Sequence, residues 1–347
     1  MIEQNFGRSL TLGVEEELMI LDAETQAQKA ASAELIPAVE VPRGAVKTEL
    51  FQSVIELNTD VCDSTADAAE VLRSLRRGTT DAAQRLGYVI AAGGSHPFDI
   101  ASEQPIADNP HYRKFVDYAG PAARRQGVSG LHVHVGMPDA DSCLRVLELV
   151  LPWLPLVLAL SANSPWFERE RTGLKSTRAA ILGLLPRHGA PPHFDSWHAW
   201  EELVDTFVRS GVASGYTALH WDIRPHPTLG TLEIRVPDQP TSLIMTTRFV
   251  DLLHGLCRWA LDETPRNPLS RAIYEQNRWA ASTHGPGAEL IHPDDARAAS
   301  VPDLYRELVD RIGHDPNLDP TVCEADRQLE FERPEEATAD LVERSIA

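Results

Sequence analysis

The chain has 347 residues, enough for one large domain or two modest ones, with 32 Lys and Arg against 51 Asp and Glu, a net charge of −19. That acidity argues against a nucleic-acid partner, which needs clustered cations, and speaks to solubility instead. A hydrophobic share of 43% and a charged share of 24% are ordinary for a globular chain.

The N-terminus, MIEQNFGRSL, shows no basic region followed by an apolar one, so no signal peptide is predicted. Residues 10–21 read as a strand, apolar at both ends, with Glu15, Glu16 and Glu17 in its middle. Residues 47–60 read as one or two more strands. Ser64 or Thr65 is placed to cap a helix carrying Ala69, Leu72, Leu75 and Leu86 and stopping at Gly87. GYVIAAGG reads as a strand entering a glycine loop, and GLHVHVG (130–136) alternates as a half-buried strand does. Asp139 or Asp141 caps a long helix. Its apolar run, Leu149–Leu160, is too short for a bilayer span and holds Pro152 and Pro155, which predicts a kinked core helix and no membrane partner.

SANSPWFERERTGLKSTR and the Pro/His/Gly-rich stretch around 186–193 read as surface loops. WDIRPHPTLGTLEIRVP (221–237) reads as a hairpin, and Thr241 or Ser242 caps a helix running to about Asp262. The remainder reads as helical, with an acidic tail over about 325–347. Strands mostly precede Pro237 and helices follow it, so the predicted class is α+β in a single domain, 1–347. Cys62, Cys143, Cys257 and Cys323 lie far apart without a CxxC pair, which predicts reduced thiols in a cytoplasmic protein. Nothing fixes the oligomeric state, and a homo-oligomer is left open.

Three strand segments carry apolar residues on one face and charged or metal-liking residues on the other. By the two-residue period, Glu15 and Glu17 share a face, as do His132 and His134, and Glu233 and Arg235. Glu49 and Glu56 are seven apart, so the chain must bend near Gln52–Ser53 for both to converge. Each segment taken alone also suits a solvent face. Together they select Glu and His, where a solvent face mixes Lys, Thr, Ser and Glu. Carboxylates meeting on a sheet repel, and divalent cations remove the repulsion. Oxygen ligands with a histidine or two suit Mg²⁺ or Mn²⁺ better than zinc, and such a site suits a nucleoside triphosphate. There is no P-loop, GxGxxG, HExxH or GxSxG.

LGVEEELMILD, VKTELFQSVIELNTDV, AAGGSHPF, GLHVHVGMPD, LALSANSPWF and HPTLGTLEIRVPDQPTS occur in the order seen in the glutamate–cysteine ligase type 2 family of carboxylate–amine ligases, and QNRWAASTHG (276–285) extends the resemblance to about residue 290. The resemblance implies a glutamine-synthetase-like fold, a curved antiparallel sheet surrounded by helices with the site in its concavity. It implies ATP-dependent phosphorylation of the γ-carboxylate of glutamate, then displacement of phosphate by an amine, cysteine being the named one.

On the matching positions, Glu15, Glu17, Glu49, Glu56, His132 and Glu233 would hold about two or three Mg²⁺ ions, and Arg235 would stabilise the transferring phosphoryl group. Arg178, Arg113 and His96 are candidates for binding substrate carboxylates or ATP phosphates, with surface or structural roles as the alternative. His134 or a metal-free carboxylate would take the amine's proton. Glu16 is expected to pair with an arginine or to lie near the sheet's edge. Two other classes remain open at this point: a guanidino-kinase-like phosphotransferase and a non-catalytic metal- or ligand-binding protein.

Overall fold

In the computed structural model, which describes residues 3–265 and 267–346, the longest strand sits at the middle of a seven-stranded sheet. The strands are β1 (Leu12–Asp22), β2 (Ala45–Thr48), β3 (Val54–Asn58), β4 (Tyr88–Ala91), β5 (Leu131–Gly136), β6 (Ile223–His226) and β7 (Thr231–Ile234). Their order is β6-β7-β5-β1-β3-β2, with β4 pairing the second half of β1, and every pairing is antiparallel. The helices used below are α1 (Thr65–Arg85), α2 (Pro110–Ala119), α3 (Ala140–Val150), α4 (Leu154–Ser161), α5 (Thr177–Leu182), α6 (Trp197–Arg209), α7 (Leu243–Asp262), α8 (Arg271–His284), α9 (Val301–Ile312), α10 (Glu324–Gln328) and α11 (Pro334–Ser345).

Local chemistry sets these boundaries. Ser64, Asp139 and Ser242 each accept a backbone N–H of the first turn of α1, α3 and α7. The apolar run breaks into α3, a 3-10 turn at Leu151–Trp153, and α4, where Pro152 and Pro155 withhold backbone donors. The whole stretch Ala140–Ser161 is apolar and long enough to suit a bilayer, yet most of it is buried in the core.

The two faces of the sheet differ sharply. Leu12, Val14, Leu18 and Ile20 of β1 and Leu131, Val133 and Val135 of β5 join one core with Leu72 and Leu75 of α1, Val146 and Leu147 of α3, Val157 of α4, and Phe249 and Leu253 of α7. Each such side chain, fully buried, contributes about 2 kcal/mol of transfer free energy. On the other face the second half of β1 (Met19, Leu21) is covered by Leu341 of α11, while the first half carries the glutamates.

The bend expected near Gln52–Ser53 is the turn of the β2–β3 hairpin, which sets Glu49 and Glu56 on adjacent limbs. Three expectations change. β5 is buried on both faces, because its histidine face lines a closed-in cavity. The 161–178 segment reaches the surface in its middle, at Arg169, Glu170 and Arg171, while Asn163, Ser164, Ser176 and Arg178 at its two ends are buried. The Asp238 carboxylate draws that segment inward, accepting from Asn163 N, Ser164 Oγ and Ser176 Oγ at 2.7–2.8 Å. Finally, residues 325–346 are not a loose acidic tail. Ala337, Leu341 and Gln328 are fully buried, and Ser345 Oγ accepts from Ala92 N at 2.7 Å. All four cysteines are buried free thiols.

Candidate active site

Strand register assembles the site. Glu17 lies opposite Glu56, Glu15 opposite His132, His134 opposite Glu233, and Glu233 opposite Arg224. Directly opposed residues bring their side chains together, so the pairings lay a row of ionisable groups across β6, β7, β5, β1 and β3. Over this row opens a cavity of about 510 Å³ lined by Glu15, Glu17, Glu49, Glu56, His132, His134, Arg178, Glu233 and Arg235, nine of the eleven sequence candidates.

The other two lie elsewhere. Arg113 points outward from α2, 58% exposed and paired with Asp108. His96 is buried but tethers its own loop: Nε2 donates to Gln26 O at 3.0 Å, and Nδ1 accepts from Asp99 N at 3.1 Å. In place of Arg113, the inner face of α2 presents His111, Tyr112, Lys114, Phe115 and Tyr118 to the cavity. Arg224, Arg187 and His220 line it as well, and sequence reasoning missed all three. Arg224 was findable, since it shares the two-residue period of β6 and faces Glu233 in the hairpin.

One end of the cavity is an excess of carboxylate. Burial, then the neighbouring Glu17 charge, pushes the Glu49 carboxyl up to about 7. Burial, then Glu15 and Glu49, raises Glu56 well above the usual range. Glu15 goes the other way: against the cost of burial, His132 and His134 hold it well below that range. Burial and then Arg235 lower His132, whereas for His134 the cost of burial is outweighed by the Glu15 carboxylate beside it, and its pKa is raised.

The other end is cationic. Glu233 accepts from Arg224 at 2.8 and 3.0 Å and from Arg235 as well; against burial, the two guanidinium charges depress its pKa. Arg178 donates to Val236 O and Arg235 O at 3.1 and 2.9 Å, so it steadies the backbone beneath Arg235. Gly130 leaves room for that guanidinium: a Cβ there would lie 2.1 Å from Arg178 Nη2. Burial, and then Arg235, Arg224 and Arg187, push His220 down to about 3, so it is neutral.

Among the described residues, three groups present ligand atoms within 4.8 Å of one another: Glu15, His134 and Glu233; Glu15, Glu56 and His132; and Glu17, Glu49 and Glu56. His134 thus stands with the carboxylates as well as His132. Its Nδ1 bonds Thr231 Oγ1 at 3.0 Å, while Nε2 is buried without a hydrogen-bond partner, 3.5 Å from Glu15 Oε1. An orphaned imidazole nitrogen beside crowded carboxylates fits a hard divalent cation with oxygen and occasional nitrogen donors.

The sequence model described as glutamate–cysteine ligase family 2 matches residues 11–321. A Rubrobacter xylanophilus protein provisionally named glutamate–cysteine ligase 2-3 is 38% identical across 99% of this chain and 95% of its own. The glutamate–cysteine ligase of Haloferax volcanii is 34% identical, covering 89% of this chain and 88% of its own. Among solved structures, a Francisella tularensis glutamate–cysteine ligase in complex with AMP superposes with TM-score 0.69 at 16% identity, over 99% of this chain and 89% of that one. A bifunctional glutathione synthetase from Pasteurella multocida gives TM-score 0.74 at 17% identity over 98% of this chain, which spans 52% of that longer protein. These two likenesses show the shared fold. On the family match and the relatives above 30% identity, the chain belongs to glutamate–cysteine ligase family 2, enzymes of the carboxylate–amine ligase kind.

Proposed function

We propose that the protein joins the γ-carboxylate of L-glutamate to the amine of L-cysteine at the expense of ATP, through a γ-glutamyl phosphate, in one catalytic domain. The observation that carries this reading is the cavity's division into a carboxylate floor (Glu15, Glu17, Glu49, Glu56) and a guanidinium end (Arg235, with Arg224 and Glu233). In the family's relatives the named substrates are glutamate and cysteine, and a structural neighbour was solved with AMP.

Mg²⁺ or Mn²⁺ held by Glu15, Glu17, Glu49, Glu56, His132, His134 and Glu233 would offset the charge of the triphosphate and the reacting carboxylate. The chain's own residues do the rest. The γ-oxygen of glutamate attacks the terminal phosphorus, and ADP leaves. Arg235 offers a planar cation for the equatorial phosphoryl oxygens, pre-aimed by Glu233 and by Arg178 beneath its carbonyl, so little reorganisation is needed. The amine then attacks the acyl phosphate carbonyl, phosphate leaves, and an amide forms. Neutral His220 and the apolar side chains Phe115, Leu182 and Leu185 line the same cavity and limit water around the acyl phosphate.

The test is incubation with ATP, Mg²⁺ and a panel of amino acids, with products identified by mass spectrometry. The expected result is γ-glutamylcysteine with amine-dependent ADP release. ADP with a stable phosphorylated product and no amide would replace this reading with a phosphotransferase.

A further inference from the structure

Glu16 points away from the cavity and is fully buried, yet it sits between two cavity glutamates. Its carboxylate accepts from Arg76 Nε at 2.8 Å and Nη2 at 2.6 Å, from Thr246 Oγ1 at 2.6 Å, and from Gln239 Nε2 at 3.0 Å. Arg76 also donates to Thr241 O at 2.7 Å and to Ser345 O at 3.3 Å, so α1, the 238–242 segment, α7 and the end of α11 all meet at this carboxylate. A buried ion pair is a poor way to gain stability, since well-packed apolar residues serve as well. What such a network supplies is position.

Gln239 carries that position through to the cavity side. The pairing of β1 with β5 ends at Glu16↔Leu131. Beyond it, the Glu17 N–H is taken by Gln239 Oε1 at 3.1 Å, while the same carboxamide donates to Glu16 and to Pro240 O at 3.0 Å. Glu17 Oε2 in turn accepts from Gly130 N at 2.6 Å. Glu17 is therefore gripped at its backbone by Gln239 and at one carboxylate oxygen by Gly130, whose strand continuation also pairs with Asp238, the residue before Gln239.

We propose that Gln239 is a positioning residue for the cation floor, its carboxamide tying Glu16 to the Glu17 backbone so that Glu17 meets Glu49 and Glu56 at ligating distance. The proposal rests on the cation reading above. Groups that orient ligands from behind typically change metal affinity 10–100-fold when removed.

The experiment measures Mn²⁺ binding to the intact protein by the loss of the free-ion EPR signal, without turnover. Gln239→Met keeps the length and removes both amide contacts; binding should weaken about tenfold. Thr246→Val, which removes one donor to Glu16, should weaken it in the same direction, and Thr246→Ser, which keeps the hydroxyl, should restore it. Leu308→Ala in α9 is the control, lowering Tm in the core away from the cavity and leaving Mn²⁺ affinity at the wild-type value. Wild-type affinity in Gln239→Met, or an equal loss in Leu308→Ala, overturns the positioning role while the cation reading stands. If Gln239→Met fails to fold, the Thr246 pair decides, with equal affinity in Val and Ser variants counting against the role. A wild-type protein that binds no Mn²⁺ overturns the cation reading itself, and the positioning role with it.

Discussion

Arg235 and Arg113 make the sharpest contrast between single side chains. Arg235 lines the cavity, and on the role proposed for it Arg235→Ala should lower kcat about 10²–10³-fold. Arg113 is solvent-facing, so Arg113→Ala should leave steady-state kinetics within about twofold, as ordinary surface substitutions do; a large loss would place an anion site on the outer face of α2. The acidic floor has its own signature. Glu49, raised to about 7 from an ordinary 4.5, and Glu56, raised with it, favour their protonated forms in the fold. The stability this gives is full below about pH 4.5 and is lost as pH climbs through about 7. Raised His134 acts in the same direction and lowered His132 against it. Without divalent cations, Tm should therefore fall between pH 5 and 8 by about the few degrees that 1 kcal/mol produces in a large domain. Added Mg²⁺ should reverse the fall, and most strongly at the alkaline end. Scanning calorimetry across that range with and without Mg²⁺ checks both signs. The two-residue period was enough to separate Glu15 and Glu17 from Glu16, because a strand's faces are fixed by covalent geometry. Arg76 as the partner of Glu16 was not legible, since sixty residues and a helix packing intervene. The inward set on α2, His111, Lys114, Phe115 and Tyr118, follows the 3, 4, 7 spacing of one helix face, a signal that would have chosen Lys114 over Arg113.

Among the elements, the C-terminal helices depart most from their sequence appearance. Rich in Glu and Asp, they look like a solvated tail; in the fold, α11 seals the apolar half of β1 through Leu341, and Gln328 of α10 donates to Asn163 Oδ1 at 2.7 Å. Leu341→Ala should cost about 2–5 kcal/mol by denaturant melting, where an unpacked tail residue would cost nothing measurable. The small apolar set Ala337, Leu341 and Val342 at helical spacing is the only local trace of this packing, and it is diluted by exposed acids. The hairpins were easier to read. Pro227 and Gly230 set the turn of β6–β7, where Gly230 takes a positive φ of 69°, while Pro225 lies within β6 opposite Leu232. The β2–β3 turn contains no glycine or proline, so the sequence predicts the bend only from the need for Glu49 and Glu56 to converge, and the register that sets them on adjacent limbs comes from tertiary pairing.

At the scale of the whole chain, the acid excess is −19, and inside the fold buried carboxylates meet guanidinium groups, as Glu16 meets Arg76, Glu233 meets Arg224 and Asp222 meets Arg278. The resemblance carried by the six sequence segments anticipates the sheet, because β1, β2, β3, β5 and β7 fall mostly within them. The rest of the cavity wall was not legible, since it comes from α2, α5 and the 211–218 stretch, which are far apart in sequence and individually bland. The four cysteines follow the opposite rule and are all withdrawn into the interior, and none is among the residues lining the cavity. Burial raises the thiols of Cys62 to about 11 and of Cys257 and Cys323 to about 12. A disulfide-exchange reagent such as dithionitrobenzoate should therefore titrate almost no thiol in the native protein and all four after denaturation. For a catalyst whose proposed substrate is itself a thiol, this is insulation: oxidised substrate finds no partner sulfur with which to form a mixed disulfide, and the site keeps working while the surrounding thiol pool is being spent.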